Sequence, residues 1–418
     1  MAATLVLHFH ELWLKGRNRN FFLARLLAAV RQSLEPLSHQ ARLVQGRILV
    51  ELPEPQLAEA ALERLKRVFG IVHLAVARRV GAEPEQIRSA AREEILPRQF
   101  SSFAVRVRRG DKSFPMKSSE LERRLGADLL EGLRAAGHPG AHVNLSHPGV
   151  TCFVEITRQG ALVYSQKLAG PGGMPANTAG RLLCLLSGGY DSAVAAYKVM
   201  KRGAHLAFAH FHGLPARPGE SSVPVARELV RLLTPYQFTS RLHLVPFEPI
   251  QRQIVTAAPE RYRILLYRRM MLRIAEHLAC RQRALGLVTG DSFSQVASQT
   301  LRNLHAIDRA AVLPVYRPLI GDDKQEIIEL AHKLGTYPIC SQPFQDCCPL
   351  FLPRAPELHA RPEELDQAEA ALDVAALVGS ASSGLLFLAF ALSLAATFLR
   401  SSSWWLIAAS QGVPLCFS

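Results

Sequence analysis

Two hydrophobic rhythms divide this chain. Thr4–His8 alternates as a strand does and Val44–Leu52 reads as a second strand, while Phe21–Leu34 and Leu57–Val68 carry helical spacing. Together they predict a small α+β unit over residues 1–70. A second α+β unit is expected over 71–168. It holds a helix at Pro84–Glu94, an alternating strand at Phe103–Val107, and an amphipathic helix carrying Leu121, Leu125, Leu129, Leu130 and Leu133. Two strands, Gly149–Ile156 and Ala161–Tyr164, close it. The breakers Gly170-Pro171-Gly172-Gly173-Met174-Pro175 mark a linker over 169–180. Beyond it, Leu182–Leu186, Ala204–His210, Leu242–Pro246 and Gly286–Thr289 are short apolar runs between helical stretches. That alternation predicts a doubly wound parallel sheet over 181–378, with its ligand site beyond the carboxyl ends of the strands. The fold class is therefore multidomain, α+β followed by α/β, with no internal repeat.

The rhythm fails at the end. Val374–Leu399 holds no charge, and Trp404-Trp405-Leu406-Ile407 follows Arg400. Residues 379–418 form an apolar tail whose length and Trp pair would suit a membrane anchor. A packed or non-native segment is the stronger expectation, and a membrane is a partner only if the tail is a genuine anchor.

Composition adds a partner. With 49 Lys+Arg against 35 Asp+Glu, the 418-residue chain carries a net charge of +14, which favours a polyanion and first of all nucleic acid. Met1–Phe9 has no basic n-region, so a secretory signal is not expected. Cys152, Cys184, Cys280, Cys340, Cys347, Cys348 and Cys416 form neither a CxxC pair nor a disulfide framework, which fits a reduced, cytoplasmic setting.

The sharpest chemical signal is Ser187-Gly188-Gly189-Tyr190-Asp191-Ser192. It joins the apolar run Leu182–Leu186 to a helical stretch expected at Ser192–Lys201. Such a turn aims backbone N–H groups and a helix N-terminus at one spot, which makes an anion site. Two glycines allow close approach of a phosphate. Ser187 and Ser192 offer hydroxyl donors, and Asp191 is placed to hold Mg²⁺ beside phosphates. The spacing matches neither G-x-x-x-x-G-K-[ST] nor G-x-G-x-x-G. It resembles the pyrophosphate loop of enzymes that split ATP between its α- and β-phosphates; the bland alternative is a serine-rich turn without a ligand.

Other candidates sit at strand ends. His210-Phe211-His212-Gly213 could sandwich adenine, or simply pack. Thr289-Gly290-Asp291-Ser292 precedes Gln295 and Gln299, where Gly290 permits close approach and Gln299 could bond a base or ribose. Arg268, Arg269 and Arg273 share a helix and suit phosphate, with a solvated face as the alternative. Lys324 stands at a helix start, where the dipole disfavours it, and a ligand role is therefore attractive. Finally, Cys347-Cys348 follows Gln345-Asp346, with Cys340 seven residues earlier. A sulfur carrier needs such a thiolate; no fourth ligand completes a zinc site, so no metal site is assigned beyond Asp191 with Mg²⁺.

Taken in order, these motifs resemble the bacterial tRNA 4-thiouridine synthases, or tRNA sulfurtransferases, from about Thr4 to Val378. The likeness includes Glu11-x-x-x-Lys15-Gly16-x-Asn18, Arg106-x-x-Arg109-x-x-Lys112-Ser113-Phe114-Pro115, the 187–192 loop, Thr289–Thr300, Arg317-Pro318-Leu319-Ile320-Gly321 and Asp346-Cys347-Cys348. The resemblance implies an N-terminal ferredoxin-like domain, a THUMP RNA-binding domain and a pyrophosphate-loop ATPase domain. It implies that ATP adenylylates O4 of the uridine at tRNA position 8 and that a cysteine persulfide then delivers sulfur. It assigns ATP contacts to Leu185, Leu186, His210, Phe211, Arg268, Gly290 and Gln299, beside the loop residues Ser187, Gly188, Gly189 and Ser192. Asp191 and Lys324 match residues needed for adenylylation. Cys348 matches the sulfur-handling cysteine, with Cys347 its neighbour and Cys340 a resolving partner. Lys15, Arg17, Arg106, Arg109, Lys112 and Lys117 are the candidates for holding tRNA, largely through phosphates.

Longer members carry a rhodanese domain and a part in thiamine biosynthesis; the about 40 residues after Val378 are too few for one. The short form implied would take sulfur from a cysteine desulfurase, and homodimerisation is plausible for the family. Tyr190 and Asp291 stand where an aliphatic residue or phenylalanine and a glutamate are expected. The competing readings are a non-catalytic tRNA-binding module and another pyrophosphate-loop tRNA-thiolating enzyme; a cluster-bearing one would need better-spaced cysteines.

Overall fold

The computed structural model describes residues 2–213, 221–343, 351, 353–383, 386–391 and 405–408. The chain forms two compact units, Met1–Pro175 and Ala176–Ser418.

In the first unit the order is β1 (Ala3–His8), α1 (Arg19–Leu34), β2 (Gln40–Val44), β3 (Arg47–Leu52), α2 (Leu57–Leu65), β4 (His73–Val80), α3 (Pro84–Ile95), β5 (Ser102–Arg109), α4 (Ser118–Ala135), β6 (His142–Val143), β7 (Val150–Thr157), β8 (Gly160–Tyr164) and β9 (Leu168–Ala169). A 3₁₀ segment, Glu11–Asn18, interrupted by a kink at Gly16, precedes α1. The strand expected at Val44–Leu52 is instead the end of β2, a turn and β3. Gln45 and Gly46 both have positive φ, 41° and 83°, the geometry of a tight hairpin turn.

The strand order β2-β3-β1-β4-β8-β7-β5-β6 makes one sheet of both α+β parts. β4 joins them: Thr4–His8 of β1 pair with its His73–Ala77, and Ala161–Val163 of β8 pair with its Arg78–Val80. The division expected near residue 70 falls just before this shared strand. Ile87, Ile95, Leu121, Leu125, Leu129 and Leu133 bury one face of α3 and α4 on the sheet beside Phe103 and Val105, as the helical spacing predicts.

The second unit runs β10 (Arg181–Leu185), α5 (Tyr190–Met200), β11 (His205–His212), α6 (Val223–Leu233), β12 (Thr239–Pro246), α7 (Glu248–Ala257), α8 (Arg263–Arg281), β13 (Leu287–Val288), α9 (Leu301–Asp308), β14 (Val315–Tyr316), α10 (Lys324–Leu334), α11 (Tyr337–Cys340), α12 (Pro362–Glu369), α13 (Val374–Ser383), β15 (Leu386–Ala391) and β16 (Trp405–Ala408). The order β14-β13-β10-β11-β12 is parallel throughout and reverses direction at β10. The crevice of such a sheet lies beyond the carboxyl ends of the strands at that switch point, here β10 and β13. Alternation along β11 sends Ala207, Ala209 and Phe211 into the core built with α7 to α9, α12 and α13, and Phe208 and His210 to the opposite face.

The apolar tail continues this sheet: β15 pairs antiparallel with β12, and β16 with β15. Among the described residues no helix is long and apolar enough to cross a membrane. Beyond the expected boundary at Val378, α13 continues to Ser383, and its Leu377 and Ala381 are buried against α8 and its neighbours.

Candidate active site at the sheet switch point

The Ser187–Ser192 turn lies between β10 and α5, at the switch point. The helix begins two residues before the expected Ser192, with Gly189 at its N-cap in an extended conformation and no side chain capping it. Its first backbone N–H groups are therefore offered to an anion rather than to the protein. A Cβ on Gly189 would meet only Ser187 Oγ, at 3.4 Å, so space stands open in front of the turn.

The two serines bond to the turn itself. Ser192 is buried; its Oγ accepts from Ser187 N–H at 3.1 Å and donates to Gly189 O at 3.0 Å, and Gly189 N–H donates to Ser187 Oγ at 3.2 Å. These bonds lie inside the turn, so both hydroxyls shape the loop.

Lys324 Nζ donates to Asp191 Oδ1 and Oδ2 at 2.9 and 3.0 Å and lies 4.6 Å from the Tyr190 ring centroid. Burial lowers its pKa, but the hydrogen bond and charge of Asp191 outweigh burial and hold the ammonium above the ordinary lysine range. The dipole penalty for a lysine at the start of α10 is offset by a capping box of Asp323 and Glu326. Lys198 pairs with Asp322 and ties α5 to the residues leading into α10.

Behind the turn, a Cβ on Gly290 would fall 2.6 Å from Ser192 N and 2.8 Å from the Asp191 carbonyl carbon. Glycine is needed there for contact between two chain segments of the site. Next to it Asp291, buried, gathers four donors. Oδ1 accepts from Arg268 Nη2 at 2.5 Å and Gln299 Nε2 at 3.2 Å; Oδ2 accepts from Thr289 Oγ1 at 2.8 Å and Arg317 Nε at 3.1 Å. Burial raises its pKa, yet Arg268, Thr289 and Arg317 overcome burial and hold the carboxyl down to about 2. Arg317 also forks onto Asp308. Sequence reasoning marked Asp291 only as a departure from glutamate and gave Arg317 no role of its own. The available signal was a carboxylate one residue past a strand-end glycine.

His210 is fully buried, its Nδ1 2.8 Å from Leu186 O and its Nε2 2.8 Å from Ser222 Oγ, so it pins the end of β10 to the start of α6. The Phe211 ring packs at 5.4 Å against Phe247 in the core on the other face of the sheet. Of the three arginines expected to suit phosphate, only Arg268 reaches the site. Arg269 and Arg273 both bind Glu369 of α12, at 2.9 and 2.7 Å, and fasten that helix to α8. Leu186 is buried and Leu185 half-buried beneath the turn.

Cys347 and Cys348 lie outside the described residues. Cys340, half-buried at the end of α11, has its thiol pushed up to about 12 by burial and by the Asp191 charge. It lies within electrostatic reach of the turn but is not a poised thiolate, so a resolving role needs its proton removed first. Cys152 and Cys184 are buried thiols pushed up to about 12 by burial, inert by the same physics.

In the first unit, Arg17, Arg106, Lys112 and Lys117 are exposed and Lys15 half-buried, 5.4 Å from the Phe22 ring centroid. Arg109 differs: its Nη1 donates to Phe114 O and Met116 O at 3.2 and 2.7 Å and so holds the loop before α4.

Comparison with known proteins agrees with this geometry. Residues 177–374 match the family described as thiamine biosynthesis protein (ThiI), residues 4–75 the ThiI ferredoxin-like domain, and residues 83–166 the THUMP domain. A probable tRNA sulfurtransferase of Thermus thermophilus is 43% identical over 90% of this chain and 91% of its own length. A probable tRNA sulfurtransferase of Moorella thermoacetica is 40% identical over 90% and 95%. The crystal structure of a 4-thiouridine synthetase–RNA complex with bound ATP superposes with a TM-score of 0.81, at 29% identity, covering 93% of this chain and 100% of that one. A ferredoxin-like segment, a THUMP segment and a doubly wound domain with the Ser187–Ser192 turn at its switch point place this chain in the tRNA sulfurtransferase family.

Proposed function

We propose that this chain is an ATP-dependent tRNA sulfurtransferase that converts the uridine at position 8 of tRNA to 4-thiouridine. The observation that carries the reading is the open α5 N-terminus beside the Asp191–Lys324 pair, in a chain 43% identical to a probable tRNA sulfurtransferase.

The Gly188-Gly189 turn and the α5 N-terminus bind the pyrophosphate of ATP, and Lys324 adds a permanent positive charge there. Asp191, a single half-exposed carboxylate, fits a Mg²⁺ that takes its other ligands from phosphate oxygens and water, and such an ion would neutralise the departing pyrophosphate. Among the described residues no cluster of three His, Cys, Asp or Glu side chains could hold a metal by itself. Arg268, Gly290 and Gln299 bind the remainder of the nucleotide. O4 of the uridine attacks the α-phosphorus and pyrophosphate leaves. The terminal sulfur of a persulfide on Cys348 then attacks C4, and AMP departs with the original oxygen. A second thiol, Cys347 or Cys340, attacks the carrier sulfur and closes a disulfide, leaving sulfur on the base. A thiol reductant opens that disulfide, a cysteine desulfurase of the cytoplasm then transfers sulfur to the freed Cys348 thiol to restore the persulfide, and the protein acts as a homodimer.

Residues 1–168 hold the tRNA, with Lys15, Arg17, Arg106, Lys112 and Lys117 on phosphates and Arg109 positioning their loop; residues 181–378 perform the chemistry. Each phosphate contact removed should weaken tRNA binding similarly for all sequences and lower the salt slope by about 1.

The test is nucleoside analysis of tRNA incubated with the protein, ATP, Mg²⁺, a cysteine desulfurase and cysteine. 4-Thiouridine is expected, and it should vanish in Asp191→Ala and Cys348→Ala. AMP formed without thionucleoside would displace the sulfur route. Neither product, with tRNA still bound, would leave a binding module.

A further inference from the structure

Asp291 carries none of the roles assigned above, yet the two side chains given to the nucleotide, Arg268 and Gln299, converge on its single oxygen Oδ1, at 2.5 and 3.2 Å. The carboxylate is held on its other side by Thr289 and Arg317. It is buried between two guanidiniums and ionised, so it accepts hydrogen bonds only. That fixes a polarity downstream. Gln299 must turn its amide nitrogen to Asp291, and its Oε1 is then left buried with no hydrogen-bond partner. An unsatisfied buried acceptor costs free energy unless a ligand supplies a donor. Arg268 is fixed at the same time, because its Nη1 reaches Ser298 O and Oγ at 3.3 and 3.2 Å in the segment that leads into Gln299.

We infer that Asp291 is the positioning residue of the nucleotide site, and that it sets the Gln299 amide so that the site demands a hydrogen-bond donor from ATP. The donor is an N–H or O–H group: the 6-amino group of adenine or a ribose hydroxyl. The inference rests on the ATP reading above. It adds a specificity: a triphosphate lacking the matching donor leaves Gln299 Oε1 unpaired and loses affinity.

The test compares wild type, Asp291→Asn and Asp291→Glu in the full chain, with thermal unfolding of each. Asparagine lacks the charge and can present its own N–H, which frees Gln299 to flip. KM for ATP should rise about tenfold or more, as for loss of a hydrogen bond to a charged group, while KM for tRNA stays within about twofold. Glutamate keeps the charge and both acceptors, and should return KM for ATP to within about threefold of wild type. Wild type is also titrated with purine riboside triphosphate, 2′-deoxy-ATP and 3′-deoxy-ATP. One of them should bind about tenfold or more weakly than ATP, which names the donor, and Gln299→Leu should abolish that discrimination. A folded Asp291→Asn enzyme with unchanged KM for ATP would overturn the positioning role. Equal binding of all three analogues would overturn the polarity. If wild type fails to bind ATP at all, the underlying reading has failed instead, and the two failures are distinct.

Discussion

Lys324 and Asp191 are far apart in sequence yet touch through two hydrogen bonds, and both remain partly in water. A pair so exposed contributes about 0–1 kcal/mol to stability, so its value lies in the charge it sets beside the turn. Asp191→Asn should therefore lower kcat about a hundredfold or more with the melting temperature within a few degrees, read by 4-thiouridine yield and thermal unfolding. Gly290→Ala should behave otherwise. Its methyl would meet the Asp191–Ser192 backbone at 2.6–2.8 Å, so the turn must shift, and the variant should lose about 1–3 kcal/mol together with its activity. Asp191, Lys324 and Gly290 were legible in the motifs as candidates, and the fold brings the three together. The mutual bonding of Ser187 and Ser192 was not legible there, because a hydroxyl's partner depends on where the turn closes.

At the scale of elements, α12 is held to α8 by Arg269 and Arg273 on Glu369, with Asp366 also on Arg269. Arg269 and Glu369 are buried, so removing one partner strands the other. Glu369→Ala should destabilise the second unit by about 3–5 kcal/mol, measured by denaturant unfolding, and Arg269→Met with Glu369→Met should recover much of it. Phe211 teaches the same lesson about strands. Its place at the end of β11 was correctly read, but alternation turns its ring to the Phe247 side, away from His210. Phe211→Leu should cost stability and leave KM for ATP within about twofold, in contrast to Asp291→Asn.

For the molecule as a whole, the continuous sheet of the first unit is clamped by Glu155 of β7. It takes His8 Nε2 at 2.6 Å, the Tyr164 hydroxyl at 2.6 Å and Arg47 at 2.9 Å, from β1, β8 and β3. Burial raises the pKa of this carboxyl, but hydrogen bonds and charge from His8, with Arg47 and Tyr164, outweigh burial and hold it down to about 2. A carboxyl depressed below its unfolded value, about 4.3, stabilises the fold above that pH. The contribution drains away as pH falls through about 4 toward 2. Acid unfolding should show this loss, and Glu155→Gln should be less stable at neutral pH with a shallower acid slope.

The sequence by itself determined the succession of α+β and α/β parts, the strand–turn–helix around Ser187–Ser192 and the presence of Lys324 and Arg268, because hydrophobic period and turn chemistry are local properties. β4 escaped notice since His73–Val80 mixes charged and apolar residues, and the Gln45-Gly46 turn was absorbed into an apolar run. Only the tertiary structure decided that β4 welds two α+β parts into one sheet, that Arg269 serves α12, and that Asp291 gathers Arg268, Gln299 and Arg317. Each of these depends on which side chains meet across long stretches of chain, and a buried charge is answered by whichever partner the packing brings within reach.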